Sequence, residues 1–199
     1  MNIDTLDIFS FAIVDCSIIN IKEYLEQQKS YDYRLVYENK DVETFYFNSM
    51  YLEPIKGTAK GLFFSPNIAP NLTLVLGNGT GSWGTLCNNL SSNLHIKNTQ
   101  IMMQNVKLPE KSNRLSIYDS GKTIRTVFGF TGDYNRMEFV NSGNPLPFEN
   151  VEYYKKRRIT DRINKNILIE YAEKIGFDLR NEHCLFSNQK SLYVELDGK

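Results

Sequence analysis

The chain has 199 residues, 23 basic and 23 acidic side chains, and no net formal charge. That length suits one domain able to bury roughly 70% of its unfolded surface without disulfide or metal staples. The balanced charge argues against a nucleic-acid or membrane-surface partner, and twelve Tyr with twelve Phe favour strands and a packed core over disorder.

In chain order, the β-branched run Ile8 to Val14 reads as a strand. Ser17 follows as a helix cap, with Ile18, Ile21, Leu25 and Gln28 near one face. Two alternating runs flank Glu38-Asn39-Lys40-Asp41 and predict a hairpin. Pro54-Ile55-Lys56-Gly57 punctuates the chain, Gly61 to Phe64 is a short strand, and Pro66 and Pro70 bracket a loop before the strand Leu72 to Leu76. Trp83, Leu86, Cys87, Leu90 and Leu94 then repeat at helical spacing, with Asn and Ser on the wet face. Asn98 to Val106 predicts another strand. Leu115 to Tyr118 and Thr123 to Phe130 alternate around Asp119-Ser120-Gly121-Lys122, a hairpin turn with glycine where positive φ is needed.

Gly132-Asp133 turns into a strand from Arg136 to Val140, and Phe148-Glu149 leads into a charged helical stretch, Tyr153 to Arg158. Thr160 is expected to start the longest helix, with Ile163, Ile167, Leu168, Tyr171 and Ile175 inward. Gly176 ends that helix, and Phe177 is the apolar residue that follows such a cap. Ser191 to Leu196 is the last strand. Helix and strand mix without strict alternation, no repeat of 20–50 residues appears and no linker divides the chain. The expectation is one α+β domain over residues 1–199. It should have a largely antiparallel sheet and three main helices near 17–28, 82–94 and 160–175.

Gly79-Thr80-Gly81-Ser82-Trp83-Gly84 matches G-x-G-x-x-G between a strand and a helix. A dinucleotide site also needs an acidic residue about twenty positions on, where this chain reads Met102-Met103-Gln104-Asn105. The kinase loop lacks its V-A-I-K, H-R-D and D-F-G partners, and no Gly-Lys-Ser/Thr supports a Walker loop. The simpler reading is a sharp strand-to-helix turn in which glycine permits positive φ and Ser82 caps the helix. The alternative is a nucleotide- or phosphate-ligand site at the same turn, using Gly79, Gly81, Ser82 and Gly84.

The three cysteines, Cys16, Cys87 and Cys184, form no C-x-x-C pair, so neither a metal nor a redox dithiol is expected. The two histidines are His95, after the Trp83 helix, and His183, beside Cys184; sequence adjacency does not make a dyad, because neighbours in a strand point apart. Asp119, Asp133, Glu149 and Glu152 could be paired for glycosidase chemistry, yet each sits where turns and helix starts favour acids anyway. Lys155-Lys156-Arg157-Arg158 is the one basic run, with Arg162 beyond it; nearby Glu149, Glu152 and Asp161 favour a solvated helix with Asp161 pairing Arg157 or Arg158. No catalytic residue and no cofactor is therefore expected. No apolar leader and no run of 18 apolar residues occurs, so the chain reads as cytoplasmic and the three Asn-x-Ser/Thr sequons as chance matches.

Five groups of residues form a combination. They are residues 81–88 (Gly-Ser-Trp-Gly-Thr-Leu-Cys-Asn), Gly121 to Val127, Arg136-Met137-Glu138-Phe139, Gly143 to Glu149, and Tyr153 to Arg162 with Tyr171 to Gly176. It resembles uncharacterised bacterial cytoplasmic proteins of the toxin-immunity type, over about residues 81–180. The resemblance implies a non-enzymatic protein that binds and neutralises a toxin or effector domain, with no catalytic residues to carry over. Arg125, Arg136 and Arg158 would then either hold Glu149 and Asp161 internally or touch a partner.

Overall fold

A computed structural model describes residues 6, 8–28, 33–38, 58–77, 82–104 and 111–197. Its strands are β1 (Ile8–Val14), β2 (Tyr33–Glu38), β3 (Thr58–Phe64), β4 (Thr73–Gly77), β5 (Lys97–Gln104), β6 (Ser112–Asp119), β7 (Lys122–Thr131), β8 (Met137–Ser142) and β9 (Ser191–Asp197). Among the described residues they join in one sheet, in the order β2-β9-β3-β4-β1-β5-β6-β7-β8, and every neighbouring pair is antiparallel. The helices are α1 (Ile18–Gln27), α2 (Ser82–Leu94), α3 (Ile159–Arg162) and α4 (Lys165–Lys174). The fold is α+β, as expected. The turn and second run of the hairpin expected after Glu38 lie outside the described residues, and its first run, β2, pairs with β9.

Period-two alternation sends the central strands' side chains to two different cores. Phe9, Phe11 and Ile13 of β1 join Leu62, Leu74, Ile101, Leu115 and Val127 on one face, packed by Ile167, Leu168 and Tyr171 of α4. Ala12 and Val14 join Phe63, Val75, Leu192 and Val194 on the other, under α1 and α2. Helices thus cover both faces of an antiparallel sheet. Because β4 and β5 both pair antiparallel with β1, they run parallel to each other, and α2 crosses from one to the other over the inserted strand.

The sequence signals account for several ends. The Ser17 hydroxyl accepts from the Asn20 N–H and caps α1. Gly121 turns β6 into β7 at φ 78°, and Gly176 follows α4 at φ 99° with Phe177 buried behind it. Two expectations fail. The helix expected from Thr160 is broken: Ile163 is extended, and Asn164 caps a second helix by accepting from the Ile167 N–H, which leaves α2 the longest among the described residues. The break drives Ile163 into the notch beside Gly129, where a Cβ would meet its Cγ2 at 2.6 Å. The basic stretch holds only one 3₁₀ turn, Tyr153–Lys155, and becomes extended at Lys156.

Candidate functional site

Beside the glycine-rich turn, the Trp83 ring meets the sheet at two glycines. Gly61 of β3 and Gly77 of β4 stand directly opposite each other, and the Trp83 ring lies flat on both. A Cβ on Gly77 would sit 1.8 Å from the indole Cδ1, and one on Gly61 would sit 2.6 Å from its Cη2. Gly77 is therefore present for close approach of an aromatic ring to the sheet, not for positive φ. Gly79 and Gly81 lie outside the described residues, as does the Ser82 side chain. Gly84 packs against Gln100, whose Nε2 donates to the Gly84 carbonyl and to Asn88 Oδ1.

The pyrrole edge of Trp83 closes a recess of about 40 Å³ at the start of α2, with Gly77, Gly84, Gln100, Met102 and Arg114 among its walls. Trp83 is 7% exposed, yet among the described residues its Nε1 has no acceptor, and the buried Nε of Arg114 also has none. Arg114 reaches the recess from β6, with Nη2 against Gly84 and its guanidinium 5.8 Å from the Phe128 ring centroid.

A second polar cluster lies on the opposite face. Arg125 of β7 is 1% exposed and forms a two-pronged ion pair with Glu149, Nε to Oε1 at 2.8 Å and Nη2 to Oε2 at 2.6 Å. Its Nη1 donates to Asn141 Oδ1 and to the carbonyls of Ser142 and Gly143. Glu149 also accepts from the Leu146 N–H and the Tyr154 hydroxyl, and Tyr171 donates to Tyr154. Burial alone would raise the Glu149 pKa, but the donors from Arg125, Tyr154 and Leu146 outweigh it and hold the carboxyl below its ordinary value. Burial and the adjacent carboxylate push the Tyr154 hydroxyl well up, so it stays a donor. Gly143 belongs to the same brace, because at φ 83° a Cβ there would meet the Ile124 carbonyl at 2.1 Å. This cluster ties the 143–154 segment and α4 to β7. Every charge in it is internally matched, so it is a brace and not a reactive centre.

The remaining candidates are scattered. Asp119 and Asp133 are exposed at turns, Glu152 pairs on the surface with Lys155, and Glu149 is held in the brace. His95 is exposed at φ 53°, taking the position after α2 where glycine is more usual. His183 is exposed while Cys184 is buried. Burial pushes the thiols of Cys87 and Cys184 up to about 12 and about 11, and raises that of Cys16. Iodoacetamide at about pH 8 should therefore leave Cys87 and Cys184 unmodified in the native protein and label all three cysteines in denaturant, as read by mass spectrometry. Rapid native labelling of Cys184 would restore it as a nucleophile. Among the described residues, no three of His, Cys, Asp and Glu are placed to hold a metal ion. No helix among them is long and apolar enough to cross a membrane.

Of the three arginines singled out, Arg125 holds Glu149, one of the two roles the sequence left open for it. Among the described residues Arg136, Arg157 and Arg158 make no ion pair, and Asp161 meets Arg158 only through the backbone, its N–H donating to the Arg158 carbonyl. Arg158 is extended at φ −86°, ψ 133°, which removes the helical spacing that the expected pair required. Arg162 donates to the Lys156 carbonyl and stacks over Phe139.

A surface that sequence reading did not find lies at the open end of the sheet. Alternation places Phe128 and Phe130 of β7 on one face, with Val140 of β8 directly opposite Phe128, and Ile124 lies before them at a register shift in the β6–β7 pairing. Phe128 and Phe130 stack at 4.4 Å, and none of the four belongs to either core. Ile124 is 44% and Val140 41% exposed, and Tyr134, at the tip between the strands, is 94% exposed. Strict alternation in Thr123 to Phe130 was the available signal, but it does not distinguish a covered face from an open one. Set against models of known protein families, curated proteins and solved structures, the chain matches none of them.

Proposed function

We propose that this is a non-enzymatic protein-binding protein that works in the cytoplasm and neutralises a bacterial toxin or effector domain. The observation that carries the binding reading is the apolar strip Phe128, Phe130 and Val140 at the end of the described sheet, with Ile124 and Tyr134 exposed on either side of it along the chain. Exposed aromatics on a rigid scaffold are the usual anchors of a protein interface. Rigidity comes from the Arg125–Glu149 brace on the reverse face of the same strand. Among the described residues β8 is an edge strand, whose outer backbone groups a partner strand could join. The effector-neutralising part rests on the resemblance over residues 81–180, and the buried, protonated thiols agree with a body that performs no thiol chemistry.

The test is recovery of the protein with its partner from its native cell, followed by the same experiment on Tyr134→Ala and Val140→Asp. Both variants should melt within experimental error of the parent, since neither position packs into a core. Partner affinity should fall about 30-fold or more, the size of a single interface hot spot. Undiminished binding in both variants would move the interface elsewhere, and failure to protect cells against any co-encoded toxin would remove the neutralising role.

A further inference from the structure

The Trp83 recess carries a second inference, which does not rest on the protein-binding reading although Arg114 links the recess to Phe128. The first N–H groups of α2 have no partners within the helix and carry the positive end of its dipole. Arg114 brings a full positive charge against this same first turn, beside Gly84, and among the described residues no carboxylate lies within ion-pair distance of it. Both positive centres thus border one cavity. Among the described residues two buried donors there have nothing to bond: the indole Nε1 of Trp83, a side chain more than nine-tenths buried, and the Nε of the Arg114 guanidinium itself. Leaving such groups unmatched away from water is costly, and folded proteins do so rarely.

Which edge of the indole faces the recess follows from the glycines. Its six-membered ring lies over Gly61, which is not part of the recess, whereas its pyrrole edge, Cδ1 and Nε1, lies over Gly77, which is. The lining therefore presents the Trp83 and Arg114 donors and a positive charge beside one side-chain acceptor, Gln100 Oε1 against Gly84, while the Gln100 Nε2 is committed to Gly84 and Asn88. We propose that the recess binds an oxyanion, a phosphate or carboxylate group, held by the Arg114 guanidinium, the Trp83 indole N–H and the first-turn N–H groups of α2. Its volume, about 40 Å³, has room for such a group and is far below the ~300–1,000 Å³ of pockets that enclose whole cofactors. The ligand is thus a free oxyanion or the anionic end of a molecule whose remainder stays outside.

Trp83 is the chain's one tryptophan, so its emission reports on the site without a label. Full-length protein is titrated at constant ionic strength with inorganic phosphate, acetate and glycerol phosphate, with chloride as the blank. The expected result is a saturable emission change and a rise in melting temperature with at least one of the three. A response to phosphate or acetate identifies a free ion, and a response to glycerol phosphate alone identifies an anionic terminus. Arg114→Gln should weaken that binding about tenfold or more, and Arg114→Lys less, because a point charge keeps the attraction and loses the fork. Arg114→Lys serves as the folded reference if Arg114→Gln does not fold. Flat titrations in all three arms, or equal binding by the parent and both Arg114 variants, would overturn the site. Tyr134→Ala should bind the anion like the parent, so loss of the protein partner and loss of the anion are separate outcomes.

Discussion

Replacing Glu149 by Ala is expected to destabilise the protein by about 3–5 kcal/mol, because it leaves the Arg125 guanidinium buried without its counter-charge. In a chain of this size that corresponds to a fall in melting temperature of about 6–20 °C. Both side chains are essentially inaccessible, 1% and 0%, so water cannot replace the missing carboxylate. The loss also frees the Leu146 N–H and the Tyr154 hydroxyl, and through Tyr154 it reaches Tyr171 of α4. The double variant Arg125→Met, Glu149→Leu should recover only part of the stability. A typical buried pair can be exchanged for apolar groups at little cost, but here Asn141 Oδ1 and the carbonyls of Ser142 and Gly143 would lose their donor. Glu152→Ala is the control, since its pair with Lys155 is two-thirds exposed and should contribute nothing measurable. Equal unfolding midpoints for Glu149→Ala and Glu152→Ala would refute the brace.

The same carboxylate sets an acid limb. Its folded-state pKa lies below the ordinary value of 4.5, so its ionised form stabilises the fold fully above that value. The stabilisation falls away as pH drops from there through the folded-state pKa. Glu149→Gln should accordingly be less stable near neutrality and lose less on acidification than the parent.

How much of this was legible in the sequence depends on the range of the interaction. The cap at Ser17, the helix from Ser82 to Leu94 and the Gly121 turn rest on neighbours within a few residues, and each stands where the local signal put it. The break at Ile163 was missed because apolar spacing through Ile163, Ile167 and Leu168 read as one helix. The competing signal, Asn164 as a cap, was equally local, and packing beside Gly129 decided between them. The order β2-β9-β3 was not legible, since it joins segments more than a hundred residues apart. Glu149 was visible as one acid among four and as one of two acids that Arg125, Arg136 or Arg158 could hold. Its role appears when β7 and the segment after β8 meet, 24 residues apart in sequence. Arg114 carried no signal at all, because an arginine in an alternating strand is ordinary until a helix start is placed over it.

Gly77 and Trp83 offer the sharpest test of why the chain uses glycine before α2. Trp83→Ala removes a buried ring from the second core and is expected to cost about 3–5 kcal/mol. Gly77→Ala should cost about 1–3 kcal/mol or more, because its Cβ would fall inside the van der Waals radius of the indole, at 1.8 Å from Cδ1. The ring has little room to yield, since Phe63 meets it edge-on at 5.8 Å and Gly61 holds its other end. If glycine serves the ring, the two costs are not independent. In a Trp83→Ala background, Gly77→Ala should be nearly neutral, and the cycle should show a coupling of about 1 kcal/mol or more in urea denaturation. If glycine instead served backbone conformation, the Ala substitution would cost the same with or without the ring, and the coupling would vanish. Gly61→Ala should behave in the same way, because it faces the far edge of the same indole from the directly opposite position on β3.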